Sequence, residues 1–157
     1  MIIAWRLVPE PRMGEAFAGE GSRLYGGRWN HRGSPVVYVS ESLALAVLEQ
    51  FVNVGFEGQY MKYVYIRIEV PDSIKLKIIE VKSLPAGWNE SPVLSATMDI
   101  GSNWLRKVET AILKVPSAIV PVEHNFMLNP QHQDFKKIKI GEPQSFRLDP
   151  RMWKSRS

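Results

Sequence analysis

The chain has 157 residues, 45% of them hydrophobic and 23% charged, with no cysteine and a formal net charge of +4. That length fits one domain able to bury a core, and the composition is that of a globular rather than a disordered chain. The missing cysteines exclude disulfides and thiolate metal sites and agree with a reducing cytoplasm, and no apolar run nears the ~20 residues that span a bilayer.

Ile2 to Leu7 reads as a short buried strand carrying Trp5 and Arg6, and not as a signal peptide. Residues 10–25 are rich in Gly and Glu with little periodicity, which predicts a loop with a helical turn near Glu15 to Phe17. Gly26-Gly27 marks a tight turn, and Pro35-Val-Val-Tyr-Val-Ser40 a compact strand. Ser40 is placed to cap a helix reaching about Asn53, with Gly55 as its stop. Leu43, Ala46, Val47, Gln50, Phe51 and Val54 share one face of that helix, and Leu45, Leu48 and Val52 extend the apolar surface. A helix apolar nearly all round is predicted to be buried.

Met61 to Val70 alternates Val64, Ile66, Ile68 and Val70 against Tyr63, Tyr65, Arg67 and Glu69, the period of a strand. Lys75 to Val81 predicts another. Short helices are expected from Pro92 to about Ala96 and, after Gly101, over Asn103 to Lys107. Glu109 to Val115, Ala118 to Val122, Asn125 to Leu128 and Phe135 to Ile140 read as short strands separated by prolines. The pattern is α+β: a single domain, residues 1–157, of short strands around one buried helix. From Gln133 onward seven Lys/Arg face three Asp/Glu, whereas Met1 to His132 balances at thirteen each. The segment from about 135 to 157 is therefore a basic tail, either a solvated terminus or a nucleic-acid contact.

His31, His124 and His132 lie at no ligand spacing, so no metal site is expected. Gly19-Glu-Gly21 fails as a dinucleotide loop because Leu24 stands where its third glycine belongs, and no nucleophile elbow is present. Four residues remain as candidates. Arg28 follows two glycines, so its guanidinium and nearby N–H groups can converge on an anion; alternatively it is an exposed hairpin arginine. All five basic residues before Lys62 are Arg (Arg6, Arg12, Arg23, Arg28 and Arg32), and Arg grips phosphate bidentately. The alternative is that some of these pair with Glu10, Glu15 or Glu20. Tyr38 is either a platform or a core tyrosine with a satisfied hydroxyl. Glu49, the one acid beyond the first turn of an apolar helix, needs a partner or a task; a structural ion pair with an early Arg is the alternative. Ser117 reads by itself as a turn serine.

Taken together, Gly26-Gly-Arg-Trp-Asn30, Pro35-Val-Val-Tyr-Val-Ser40, Ala46-Val-Leu-Glu49, Val115-Pro-Ser-Ala-Ile-Val-Pro121 and Glu123-His-Asn-Phe-Met-Leu-Asn-Pro130 resemble the RES-domain family. The resemblance spans roughly Trp5 to Phe135. That family is named for an Arg, a Glu and a Ser, matched here by Arg28, Glu49 and Ser117. It implies the toxin of a bacterial toxin–antitoxin pair, with a fold like ADP-ribosyltransferases of the diphtheria-toxin type and NAD as substrate. The implied partner is a helix-turn-helix antitoxin that covers the active site, represses the shared operon and brings the toxin into an oligomeric complex. The toxin would meet operator DNA only through that antitoxin. On this resemblance Glu49 would stabilise the oxocarbenium-like state of nicotinamide–ribose cleavage. Arg28 and, less directly, Arg6 would hold the phosphates, Tyr38 would pack on the ring, and Ser117 and Asn125 would position nicotinamide or ribose. The acceptor stays open: water gives a glycohydrolase, phosphate a phosphorolytic NADase, and a protein side chain an ADP-ribosyltransferase. Net NAD depletion is the favoured reading. An RNA-binding or ribonuclease toxin is the rival, suggested by the basic tail and by Trp88, Trp104 and Trp153 if these are exposed.

Overall fold

The computed structural model describes residues 1–154, so the last part of the predicted basic tail, Arg156 included, lies outside the described residues. Eight strands make one mixed sheet: β1 (Ile2–Pro9), β2 (Val37–Ser40), β3 (Tyr63–Val70), β4 (Leu76–Ile78), β5 (Ile112–Pro116), β6 (His124–Leu128), β7 (Lys139–Ile140) and β8 (Gln144–Phe146). Their order is β4-β5-β6-β2-β1-β3-β7, with β8 also on the outer edge of β3. All pairs are antiparallel except β4 with β5. The parallel pair follows from its connection, which crosses over through the helix α3 (Ser95–Lys107).

Strand alternation sorts the core into two faces. Ala4 and Val8 of β1, Val64, Ile66, Ile68 and Val70 of β3, and Val37 and Val39 of β2 pack together on one side. On the other side two separate clusters form. One holds Trp29, Trp88, Trp104, Leu113 and Met127 beneath α3. The other holds Leu7, Ala46, Tyr63 and Leu148 beneath the helix α2 (Leu43–Phe51). The period-2 reading of β3 therefore stands, although Tyr63, on the partly polar face, is fully buried.

Several expectations need correction. The helix α2 is amphipathic, not buried: Leu45 and Ala46 are covered, while Leu48 and Val52 are exposed, because only one sheet face meets it. Its cap is Ser42, whose Oγ accepts from the Leu45 N–H at 3.0 Å, and Ser40 remains in β2. The region 10–25 forms a 3-10 turn at Glu10–Glu15 and a helix α1 (Glu20–Tyr25). The two short helices expected around Gly101 are one 13-residue helix. Ala118 to Val122 is a loop, because Ser117 Oγ takes the N–H groups of Ile119 and Val120 at 3.1 Å and turns the chain. Phe135 to Ile140 is mostly a 3-10 turn, with β7 only at its end. The basic segment as far as Lys154 is no frayed tail: Ile138 and Leu148 are buried, and β7 and β8 complete the sheet edge. Trp88 and Trp104 are buried, and Trp153 packs edge-on against Phe51 at 5.1 Å. None of the three is a free stacking surface, which removes the aromatic support for the RNA reading.

Candidate functional site

A cavity of about 730 Å³ opens on the second sheet face between the two clusters, and Arg6, Arg28, Tyr38, Glu49 and Asn125 all line it. Glu49 is the only carboxylate among its lining residues, against the guanidinium groups of Arg6 and Arg28. The charge there favours an anionic ligand, and the size is that of a small-molecule site.

Glu49 sits on the half-covered side of α2. Its Oε1 accepts twice, from Ser117 Oγ at 2.9 Å and from Asn125 Nδ2 at 2.7 Å. Two donors on one oxygen orient the carboxylate and leave Oε2 without a protein partner among the described residues. The anticipated alternative, an ion pair with an early arginine, does not occur among the described residues. Those arginines divide as the sequence allowed: Arg12 pairs with Glu15 and Arg23 with Glu20, both on the surface.

The two donors come from neighbouring points of the sheet. Asn125 is on β6, opposite Ser40 on β2 and Val115 on β5. Ser117 follows β5 directly and is fully buried. It does not itself line the cavity, so its place is behind Glu49 and not against a ligand. Its two readings merge: it is a turn serine for residues 117–120 and the orienter of the acid. Ser40, expected only as a helix cap, is the residue the sequence reading passed over. Its Oγ donates to Asn125 Oδ1 at 2.7 Å.

Arg28 and Trp29 occupy the tip of a tight turn closed by Gly27 N–H to Asn30 C=O at 2.9 Å and by the reverse bond at 3.3 Å. Trp29 is driven into the core against Trp88, which leaves Arg28 at the cavity. Its Nη1 donates to the carbonyls of Trp88 and Glu90, both at 2.9 Å. One edge of the guanidinium thus fastens a loop, and Nε and Nη2 have no protein partner among the described residues. Gly27 is glycine for a steric reason: a Cβ would meet Asn30 Oδ1 at 2.9 Å and the Tyr38 hydroxyl at 3.1 Å. That hydroxyl donates to the buried Asn30 Oδ1 at 2.5 Å, and burial pushes the Tyr38 phenol well above the usual tyrosine range. Asn30 in turn donates to the carbonyls of Ser22 and His31 at 3.1 Å. An asparagine three residues after a double glycine was the available signal for it.

Arg6 fills a fork in the sheet. The strands β1 and β2 share one registered pair, Trp5 with Ser40, and then part. Arg6 Nη1 donates to the Tyr38 carbonyl at 2.9 Å and Nε to the Ala16 carbonyl at 2.6 Å. Among the described residues it has no salt-bridge partner. Burial, with a smaller push from Arg12, lowers its pKa to about 10, so it is charged at neutral pH and an anion would relieve its desolvation. Among the described residues no cluster of metal-ligating side chains occurs, and no helix is long and apolar enough to cross a membrane.

The chain has relatives. The family model described as RES domain matches residues 3–149, further toward the C-terminus than the resemblance to Phe135 indicated. A relative named Toxin Res from Photorhabdus laumondii is 38% identical over 99% of both chains. A relative named Prs ADP-ribosylating toxin from Sphingobium sp. (strain YBL2) is 38% identical over 94% of both. A chain from the solved M. tuberculosis MbcT–MbcA toxin–antitoxin complex superposes with a TM-score of 0.73, covering 96% of this chain and 86% of that one. At 19% identity that is a likeness of fold.

Proposed function

This chain belongs to the RES-domain family, and from that premise we propose that it is the toxin of a bacterial toxin–antitoxin pair, taking NAD as substrate and cleaving it at the nicotinamide–ribose bond. One observation carries the reading: a lone carboxylate, held by two donors on one oxygen, shares a cavity with two guanidinium groups that have no acidic partner among the described residues. The leaving nicotinamide is already cationic in NAD, so no acid has to protonate it. What the reaction demands is an anion where positive charge develops on the ribose. Glu49 Oε2 is the atom available for this, by electrostatics and by accepting from a ribose hydroxyl. Arg28, through its unused N–H edge, and Arg6 would hold the pyrophosphate. Tyr38, anchored by Asn30, would wall the nicotinamide pocket. Asn125 has a second N–H with which to position ribose, and Ser117 acts through Glu49.

The acceptor is water or phosphate in this reading, so the cell loses NAD. Transfer to a protein side chain is the second reading, favoured by the name of the Sphingobium relative. The cytoplasm is the place of action. The partner is a helix-turn-helix antitoxin that covers the cavity mouth, where Tyr25, Val52 and Ile119 expose apolar surface. The toxin is oligomeric within that complex and reaches operator DNA through it alone.

The test incubates the purified chain, free of antitoxin, with NAD in the presence and absence of phosphate and identifies products by mass. Nicotinamide release is expected. Glu49→Gln keeps an acceptor for Ser117 and Asn125 but removes the charge, and should lower the rate by about a hundredfold or more while the protein stays folded. Arg28→Ala should also stop release, with some loss of stability because its loop is unfastened. NAD left intact after long incubation refutes the reading.

A further inference from the structure

An asparagine side chain is nearly symmetric in shape and opposite in polarity at its two ends. Turned over, Asn125 would set its carbonyl oxygen against Glu49 Oε1, acceptor facing acceptor. In the orientation that serves Glu49, the carbonyl points away from the acid, and in a residue only 9% exposed it needs a donor. Ser40, a residue 4% exposed, supplies it through Oγ at 2.7 Å. The hydroxyl is free to do so because Ser42 caps α2. The β2–β6 register sets Ser40 directly opposite Asn125, so the support comes from the rigid sheet.

We infer that Ser40 is a positioning residue for the cleavage: its hydroxyl, on the cavity wall beside Asn125, anchors the Asn125 amide, and Glu49 is thereby held with Oε2 toward the substrate. The inference deepens the proposed NAD reaction and rests on it for its kinetic part. The hydrogen bonds run one way, from Ser40 O–H to Asn125 C=O and from Asn125 N–H to Glu49 Oε1, where Ser117 O–H also ends. Each bond polarises the next. Without Ser40, the buried carbonyl of Asn125 lacks a donor, and the amide is drawn off the acid toward the solvated cavity.

The test compares wild type, Ser40→Ala, Ser40→Cys and Ser40→Thr by nicotinamide-release kinetics, thermal melting and the NMR signals of the Asn125 side-chain amide. Ser40→Ala should lower kcat on the order of tenfold, the loss expected when a buried hydrogen bond is left half-made, with little change in KM. Thr, which restores a hydroxyl, should recover most of the rate. Cys keeps the size with a weak donor and should fall between; it decides the matter if the alanine variant does not fold. The Asn125 amide pair should lose its distinct positions in Ala and keep them in Thr. A folded Ala or Cys variant with wild-type kcat overturns the inference, as does a rise in KM alone, which would mean Ser40 meets the substrate directly. If the wild-type chain releases no nicotinamide, the reaction reading falls and the amide signal decides alone: its loss in Ser40→Ala supports the anchoring role, and an unchanged signal overturns it.

Discussion

Gly101→Ala sets two effects of opposite sign against each other. In the middle of α3, replacing Gly by Ala should stabilise the helix by about 1 kcal/mol. Here, however, a Cβ on residue 101 would lie 1.8 Å from the Trp29 carbonyl oxygen, 2.9 Å from its carbonyl carbon and 2.7 Å from Met127 Cε. The obstacle is mostly backbone, and the backbone is the turn that presents Arg28. Relief requires the helix and turn to separate by more than an ångström, opening the cluster that holds Trp29, Trp88, Trp104 and Met127. Overpacking a tight contact costs about 1–3 kcal/mol, and more where main chain must move. The steric term therefore wins, leaving a net loss of about 2 kcal/mol and a melting temperature lower by roughly 4–8 °C. Thermal melting by circular dichroism reads the first consequence. Nicotinamide release reads the second, which should fall as Arg28 is displaced. A variant that melts higher than wild type, with its rate intact, would refute the close-approach argument.

Ser117→Ala removes a charge-assisted bond to Glu49 and strips the loop N–H groups of Ile119 and Val120 of their acceptor. A loss of about 2 kcal/mol is expected, seen as a melting point lower by roughly 4–8 °C, together with a reduced kcat. Unchanged melting with a raised KM would instead put Ser117 in contact with the substrate. Tyr38→Phe should remove a late-titrating phenol from the phenolate absorbance curve. Burial raises the Tyr38 pKa in the folded state, so the folded protein holds that proton more tightly. Its stabilising contribution is complete below the ordinary tyrosine value of about 10 and is lost as pH climbs beyond it. Denaturant unfolding at rising pH should therefore show a shallower alkaline loss for Tyr38→Phe than for wild type.

Local chemistry made much of this protein readable in advance. The alternation of β3 follows from the two-residue period of a pleated strand, and the strand at Val37–Ser40 from its β-branched run. The family blocks carried Arg28, Glu49, Ser117, Tyr38 and Asn125, and the run of arginines before Lys62 pointed to Arg6; all six cluster in and behind one cavity. Composition was a poorer guide to burial. The apolar residues of α2 suggested a helix enclosed on all sides, yet one sheet face covers it, and Leu48 and Val52 stay outside.

Gly101 shows the same limit from the other side. As sequence it is a helix breaker, and in the fold it is the only residue small enough to lie under the Trp29 carbonyl. From the sequence alone came the residue types the chemistry needs and the periods that build the strands, because both depend on near neighbours. The tertiary structure decided what each group faces. Glu49 meets Ser117 and Asn125 across 68 and 76 residues of chain, and Ser40 reaches Asn125 across 85. Such meetings are set by strand order and register, which no local pattern encodes, and they are what turn a solitary acid into an oriented one.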